Sequence, residues 1–371
     1  MSTLTYLLLL LALLSGLSGC QLCDDPVSPS PVGGSPELFY TEILERSDSG
    51  TASRIFRARA DGTQQRVFQT TSGYITNTGR LFSTPRNGKI VFVADPHSSD
   101  SGISVVDLVV ANVDGTNARV LADDVPFGDV LYAAISPDGA WVAVSDDRQQ
   151  RTADLVVYNV GTASKRVIAT DLQNESPVTF SPDSKRLFFY TNTNEIISIG
   201  ADGSDRQVIV TDAYSNNDYS SHLDISPDGT SLVYMRPASE RTLAHLAIHD
   251  LATGTTRALG GGEGVIGGYP VWSPNGDKIA YIGIAELPNG EFSTALAIHS
   301  VGSDSVRTLT SAQRGEWPLL PQWSPKGDML SAMVTIGSSA DDGTYTVRVF
   351  DVATGASRLL GTNVGLAYWV R

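Results

Sequence analysis

The chain has 371 residues, with 40 Asp and Glu against 26 Lys and Arg, a formal net charge of −14. A surface of that sign repels phosphate backbones, which excludes nucleic acid as an expected partner. The length accommodates several average domains or one large domain of repeats.

Residues 4 to 14, Leu-Thr-Tyr-Leu-Leu-Leu-Leu-Leu-Ala-Leu-Leu, form an apolar run too short to span a bilayer but suited to a signal-peptide core. It ends in Leu17-Ser18-Gly19-Cys20, which resembles the lipobox of bacterial lipoproteins. The resemblance implies removal of residues 1–19 and diacylglycerol transfer to the Cys20 thiolate, leaving Cys20 as an acylated first residue. Residues 1–19 hold no Lys or Arg, so the terminal amine alone supplies the positive n-region. An ordinary secretory signal with an incidental Cys20 is the alternative. Each buried methylene of an acyl chain adds about 0.8 kcal/mol, so two or three chains anchor a protein durably. With Cys20 acylated, Cys23 has no intramolecular partner, and no disulfide framework is expected. Residues 20–36 are rich in Pro, Ser and Gly and read as a semi-extended tether. Gln21, in place of the Asp that resembles an inner-membrane retention signal, favours the outer membrane.

From residue 37 onward a turn recurs: Ser136-Pro137-Asp138-Gly139, Ser181-Pro182-Asp183-Ser184, Ser226-Pro227-Asp228-Gly229, Ser273-Pro274-Asn275-Gly276 and Ser324-Pro325-Lys326-Gly327. A degenerate sixth is Ser83-Thr84-Pro85-Arg86-Asn87-Gly88. Pro fits the first central position of a type I turn and Gly the exit, so each is expected to join two strands. A short apolar strand precedes each turn; two further strands follow, and a fourth opens near Arg66, Arg119, Arg166, Arg206, Arg257, Arg307 or Arg358. Seven fourth strands against six turns leave an unmatched set at Leu38–Thr41, Ile55–Ala58 and Arg66–Phe68. Residues Leu366–Val370 supply the missing inner strand, which predicts ring closure between the two ends of the domain.

The expected fold is all-β: a single β-propeller over 37–371 with seven four-stranded blades, six being the alternative. The Ser-Pro-Asp-Gly units with their following strands resemble the repeats of TolB-type β-propellers. TolB itself resembles a six-bladed ring preceded by a small α/β domain, whereas seven blades and no such domain are read here. The resemblance implies a membrane-anchored, non-enzymatic scaffold of the bacterial cell envelope that binds a protein or peptide. The alternative is a surface glycan-binding protein or a carbohydrate lyase.

Alternating strand direction puts the Ser-Pro and Asp-Gly turns on one face and the more varied connections on the other, where a binding site is expected. The candidate residues are Tyr214, Asn216, Asn217, Asp218, Tyr219, His222, Tyr269, Arg314, Glu316 and Trp317. They offer aromatic, amide, carboxylate and guanidinium groups suited to a peptide or a glycan. His222 stands alone at its position among the inner-strand starts, so no His-rich metal site is expected, and no cofactor. His249 and His299 occupy equivalent repeat positions and read as packing or surface residues. Gly262–Gly267 matches G-x-G-x-x-G but precedes a strand, so it has no helix N-terminus for a pyrophosphate. No nucleophile elbow, H-E-x-x-H helix or other catalytic constellation is readable.

Overall fold

The middle strands of the repeats are unbroken apolar runs, and such runs arise when both faces of a sheet are covered. A computed structural model describes residues 36–47, 50–70, 85–98, 104–126, 130–146, 152–173, 178–213, 222–237, 244–260, 267–286, 292–310, 316–336 and 344–370. It shows why both faces are covered: seven antiparallel sheets stand face to face around a ring, a seven-bladed β-propeller.

Blade 1 comprises β1 (Glu37–Ser47), β2 (Gly50–Arg59) and β3 (Arg66–Val67). Blade 2 comprises β4 (Lys89–Ser98), β5 (Ser104–Asn112) and β6 (Arg119–Pro126). Blade 3 comprises β7 (Val130–Ile135), β8 (Trp141–Asp146), β9 (Thr152–Asn159) and β10 (Lys165–Gln173). Blade 4 comprises β11 (Thr179–Phe180), β12 (Arg186–Tyr190), β13 (Ile196–Gly200) and β14 (Gln207–Val210). Blade 5 comprises β15 (Asp224–Ile225), β16 (Ser231–Pro237), β17 (Ala244–Asp250) and β18 (Thr256–Ala258). Blade 6 comprises β19 (Gly267–Trp272), β20 (Lys278–Glu286), β21 (Phe292–Ser300) and β22 (Ser305–Thr308). Blade 7 comprises β23 (Glu316–Trp323), β24 (Met329–Ile336), β25 (Thr344–Asp351) and β26 (Ser357–Thr362). The last strand, β27 (Val364–Trp369), returns to blade 1 and pairs with β1, completing the order β27-β1-β2-β3. Among the described residues blade 2 has three strands and every other blade four.

Closure occurs as predicted, by pairing of the last strand with the first. Leu38 pairs with Trp369, Phe39 with Tyr368 and Tyr40 with Ala367, and Val370 N donates to Glu37 O at 2.9 Å. Trp369 is 0% exposed, so the closing strand is bound by its side chains as well as its backbone.

Each blade interface has its own apolar cluster, and the seven clusters make the ring. Period-two alternation assigns the side chains. In β16, Leu232 and Tyr234 pack with blade 4 residues Phe188 and Tyr190, while Val233 and Met235 pack with Ile279 and Tyr281 of blade 6. The cluster of Leu38, Tyr40 and Trp369 with Val347, Val349 and Leu360 joins blade 7 to blade 1. Phe39, Phe68, Ile90 and Phe92 join blade 1 to blade 2.

The turn serines are buried and hold their turns from inside. Ser136 Oγ donates to Asp138 Oδ1 at 2.5 Å and accepts Trp141 N at 2.9 Å. Ser181 and Ser226 repeat that pattern with Asp183 and Asp228. Where Asn275 or Lys326 takes the turn position, the carboxylate comes from two residues later: Ser273 Oγ donates to Asp277 and Ser324 Oγ to Asp328. The turn at Arg86 is of another kind. Arg86 and Lys89 exchange backbone hydrogen bonds at 3.0 and 2.9 Å, with Asn87 and Gly88 both at positive φ, 47° and 67°. That is the two-residue Asn-Gly hairpin of type I′, not a degenerate Ser-Pro turn.

Four of the arginines that open the fourth strands latch the next blade at the rim. Arg119 Nη1 donates to Val160 O at 2.7 Å, Arg166 Nη1 to Asp202 O at 2.8 Å and Arg307 Nη1 to Val352 O at 2.6 Å. Arg358 Nη1 donates to Asp61 O at 2.5 Å, spanning the closure. In each case the acceptor lies in the turn between the third and fourth strands of the next blade.

Candidate functional site

Of the residues expected on the variable face, the structure describes His222, Tyr269, Glu316 and Trp317. Tyr214, Asn216, Asn217, Asp218, Tyr219 and Arg314 lie outside the described residues, as do Cys20, Cys23 and the G-x-G-x-x-G positions 262–266.

His222 and Tyr269 come together although 47 positions separate their numbers. Each stands four residues before its turn serine, at the start of adjacent inner strands. Their rings lie 4.6 Å apart between centroids with planes at 58°. Tyr269 has φ of 55°, a region that L residues with large side chains rarely adopt. It sits in a register shift between Gly268 and Val271, followed by Pro270, which has no N–H to pair. Blade 7 repeats the device: Leu320, at φ 52°, precedes Pro321 within a shift between Leu319 and Gln322. A bulge of this kind turns the strand entry and aims the side chain before the Pro. Such strain clusters at functional sites.

The pair is supported from behind by blade 4. Tyr190 OH donates to His222 O at 3.1 Å and accepts Met235 N at 3.2 Å. Burial holds this phenol neutral by pushing its pKa up. Tyr234 OH donates to Asp212 Oδ1 at 3.4 Å, and Arg236 Nε pairs with Asp212 Oδ2 at 2.7 Å. Burial, with Asp212 adding to it, raises the Tyr234 pKa to about 12. Tyr190 was not legible as a site support, since only the fold brings it beside residue 222.

Glu316 and Trp317 open β23, one blade beyond Tyr269. Glu316 Oε1 pairs with Arg348 Nη2 at 3.2 Å, across the blade to β25. Trp317 is half-buried opposite Thr335.

The inner strands keep a common register. Two residues before each turn serine stand Ala134, Thr179, Asp224, Val271 and Gln322, and Tyr368 takes the same place before Trp369. All six are half-buried, and Ala134, Val271 and Tyr368 pack against blade-interface clusters. The indoles of Trp323 and Trp369 fix this register by donating to Val271 O at 3.1 Å and Gln322 O at 2.9 Å of the preceding blade.

His249 and His299 are packing residues, as expected. Both are buried at blade interfaces, and His249 Nδ1 lies 2.9 Å from Thr256 Oγ1. His299 Nε2 is 3.0 Å from Asp304 Oδ1 but off the line a hydrogen bond requires. Among the described residues no three His, Cys, Asp or Glu side chains gather as a metal site would need, and no helix is long and apolar enough to cross a membrane.

Comparison with known proteins agrees with this architecture. TolB from Acinetobacter baumannii shares the fold at a TM-score of 0.53, with 16% identity over 90% of this chain and 83% of that one. An oligogalacturonate lyase from Vibrio parahaemolyticus gives a TM-score of 0.49 at 15% identity over 75% of this chain and 74% of that one, too distant to bear on chemistry. Dipeptidyl-peptidase 5 of Aspergillus fumigatus is 32% identical over 128 residues, 30% of this chain. The match spans only 17% of that enzyme's length. The model of the TolB β-propeller domain family matches residues 74–349, most of the ring. With seven closed blades and that match, the chain belongs to the TolB β-propeller domain family.

Proposed function

We propose that the protein is a lipid-anchored, non-enzymatic scaffold of the bacterial cell envelope that binds a protein or peptide on the face bearing His222, Tyr269, Glu316 and Trp317. The observation that carries this reading is the contrast between the two faces of a TolB-type ring. One is built from near-identical Ser-Pro turns that bond to their own blades. The other carries strained, aromatic and charged strand starts, and varied connections on a rigid scaffold are where recognition concentrates. Tyr269 is 8% exposed, with its ring tilted against His222.

The anchor would be Cys20, placed by Leu17-Ser18-Gly19-Cys20, with Gln21 directing it to the outer membrane. An alkyne-palmitate label should enter the wild-type chain and not Cys20→Ser. For the binding face, a soluble Cys20→Ser form is used to capture partners from detergent-solubilised membranes of the source bacterium. Tyr214→Ala, Tyr219→Ala and Trp317→Ala should each weaken capture. An unchanged set of partners with all three would remove the binding site from this face, and tightly bound metal in the purified chain would favour the lyase reading.

A further inference from the structure

The turn face is less uniform than its repeated motif suggests. The residue that opens the second strand stands five positions after each turn serine. At that position Trp141 packs into the cluster joining blades 3 and 4, and Met329 into the cluster joining blades 7 and 1. Blade 6 has Lys278 there instead. Its ammonium pairs with Asp277 Oδ2 of its own turn at 2.5 Å, and a cleft of about 460 Å³ opens between blades 6 and 7. Small-molecule sites commonly measure about 300–1,000 Å³.

The two walls of the cleft carry opposite charge. Blade 6 contributes the Lys278 ammonium and the Arg307 guanidinium. Between them on β21 lie Ser300, the register partner of Lys278, and Ile298, the partner of Arg307. Blade 7 contributes the carboxylates of Asp328 and Asp351, with Val352 and Ala353 beside them. Each wall is tied within its own blade: Val301 N donates to Asp277 O and Val352 N to Asp328 O, both at 2.9 Å. At the rim Arg307 Nη1 bridges the walls through Val352 O at 2.6 Å. The carboxylates each spend one oxygen on their own turn, since Asp328 Oδ1 accepts Ser324 Oγ at 2.7 Å and Asp351 Oδ1 accepts Thr354 N and Oγ1 at 2.7 and 2.8 Å. Those bonds from Thr354 hold the Asp351 carboxyl below the usual carboxylate range. Among the described residues no ion pair joins the two walls, so two cations face two carboxylates across the gap.

We propose that this cleft binds a small zwitterion, its carboxylate against Lys278 and Arg307, its ammonium against Asp328 and Asp351, and its aliphatic body on Ile298, Val352 and Ala353. Charge-separated walls select for both ends of such a molecule. A simple anion would meet the two carboxylates uncompensated, and a simple cation the two basic groups. The cleft lies on the turn face, away from the proposed loop-face partner, and either reading can fail without the other: the capture assay scores Tyr214, Tyr219 and Trp317, and the assay below scores Lys278 and Asp328.

The test titrates δ-aminovalerate into the full chain in detergent, followed by ligand-observed NMR, alongside pentanoate, which lacks the ammonium, and pentylamine, which lacks the carboxylate. The zwitterion should bind in the millimolar range and each half-ligand about fivefold more weakly, the scale of one partly exposed charge pair. Lys278→Met should weaken δ-aminovalerate about fivefold without weakening pentylamine. Asp328→Asn, which keeps an oxygen for Ser324 Oγ, should weaken it by a similar factor without weakening pentanoate, both variants keeping a melting temperature near wild type. Asp351→Asn, which keeps the acceptor for Thr354, takes its place if Asp328→Asn does not fold. Half-ligands that bind as well as δ-aminovalerate, binding of none of the three, or δ-aminovalerate binding undiminished by Lys278→Met and by the carboxylate variant would each overturn the proposal.

Discussion

A turn serine and the carboxylate beneath it form the smallest repeated unit of this protein. The Ser-Pro pattern was readable because its chemistry is local. The carboxylate's move from Asp138, Asp183 and Asp228 to Asp277 and Asp328 was not, because either position serves only once the turn geometry is known. Replacing Ser324 with Ala strips Met329 N of a buried acceptor and should destabilise the fold by about 1–2 kcal/mol in urea titrations. The two interface histidines make a pH prediction. Burial is the main cause that lowers both pKa values below the usual 6.5, so the folded protein prefers them neutral. Their contribution to stability is complete above about pH 6.5 and falls as pH drops below it, because the unfolded chain takes up protons first. His299→Phe, the side-chain type found at Phe350 in the equivalent place, should flatten the decline of melting temperature between pH 7 and pH 5. An unchanged pH profile in that variant would show that His299 is not a source of acid sensitivity.

At the scale of strands, the count of blades and the pairing of the chain's last strand with its first were legible, since both follow from tallying units of four. The arginines at the fourth strands were visible as a pattern without a purpose. Their purpose appears only when blades stand side by side and the guanidiniums of Arg119, Arg166, Arg307 and Arg358 meet a carbonyl of the next turn. Arg358→Ala should cost about 1 kcal/mol, as its acceptor is solvent-exposed backbone. Trp369→Ala, within the closing strand, should cost about 3–5 kcal/mol, because it empties a fully buried indole site. The bulges before Pro270 and Pro321 were hidden as well, since a Pro in an apolar strand signals irregularity without saying which residue takes the positive φ.

For the whole ring, stability rests on seven interface clusters in series, each shared by two blades, so opening one interface exposes two sheets. Removing the last six residues should lower the melting temperature far more than removing residues 238–243, a deletion of equal size in a connection on the variable face. Equal melting temperatures would refute closure by β27. The candidate face was less legible than the ring. Sequence located His222 and Tyr269 on adjacent strand starts but gave no sign of their contact, because that depends on how far round the ring two repeats stand.

The pairing of β1 with β27 also fixes the order of events in the life of the chain. The first blade is synthesised with its innermost place empty, and the strand that fills it is made last; Arg358 and Asp61, which clasp across that seam, are 297 residues apart in sequence. A nascent chain can form blades but cannot shut the ring before that strand is made. Until the final strand arrives, β1 and the blade 7 interface present bare edges, open to pairing with another strand.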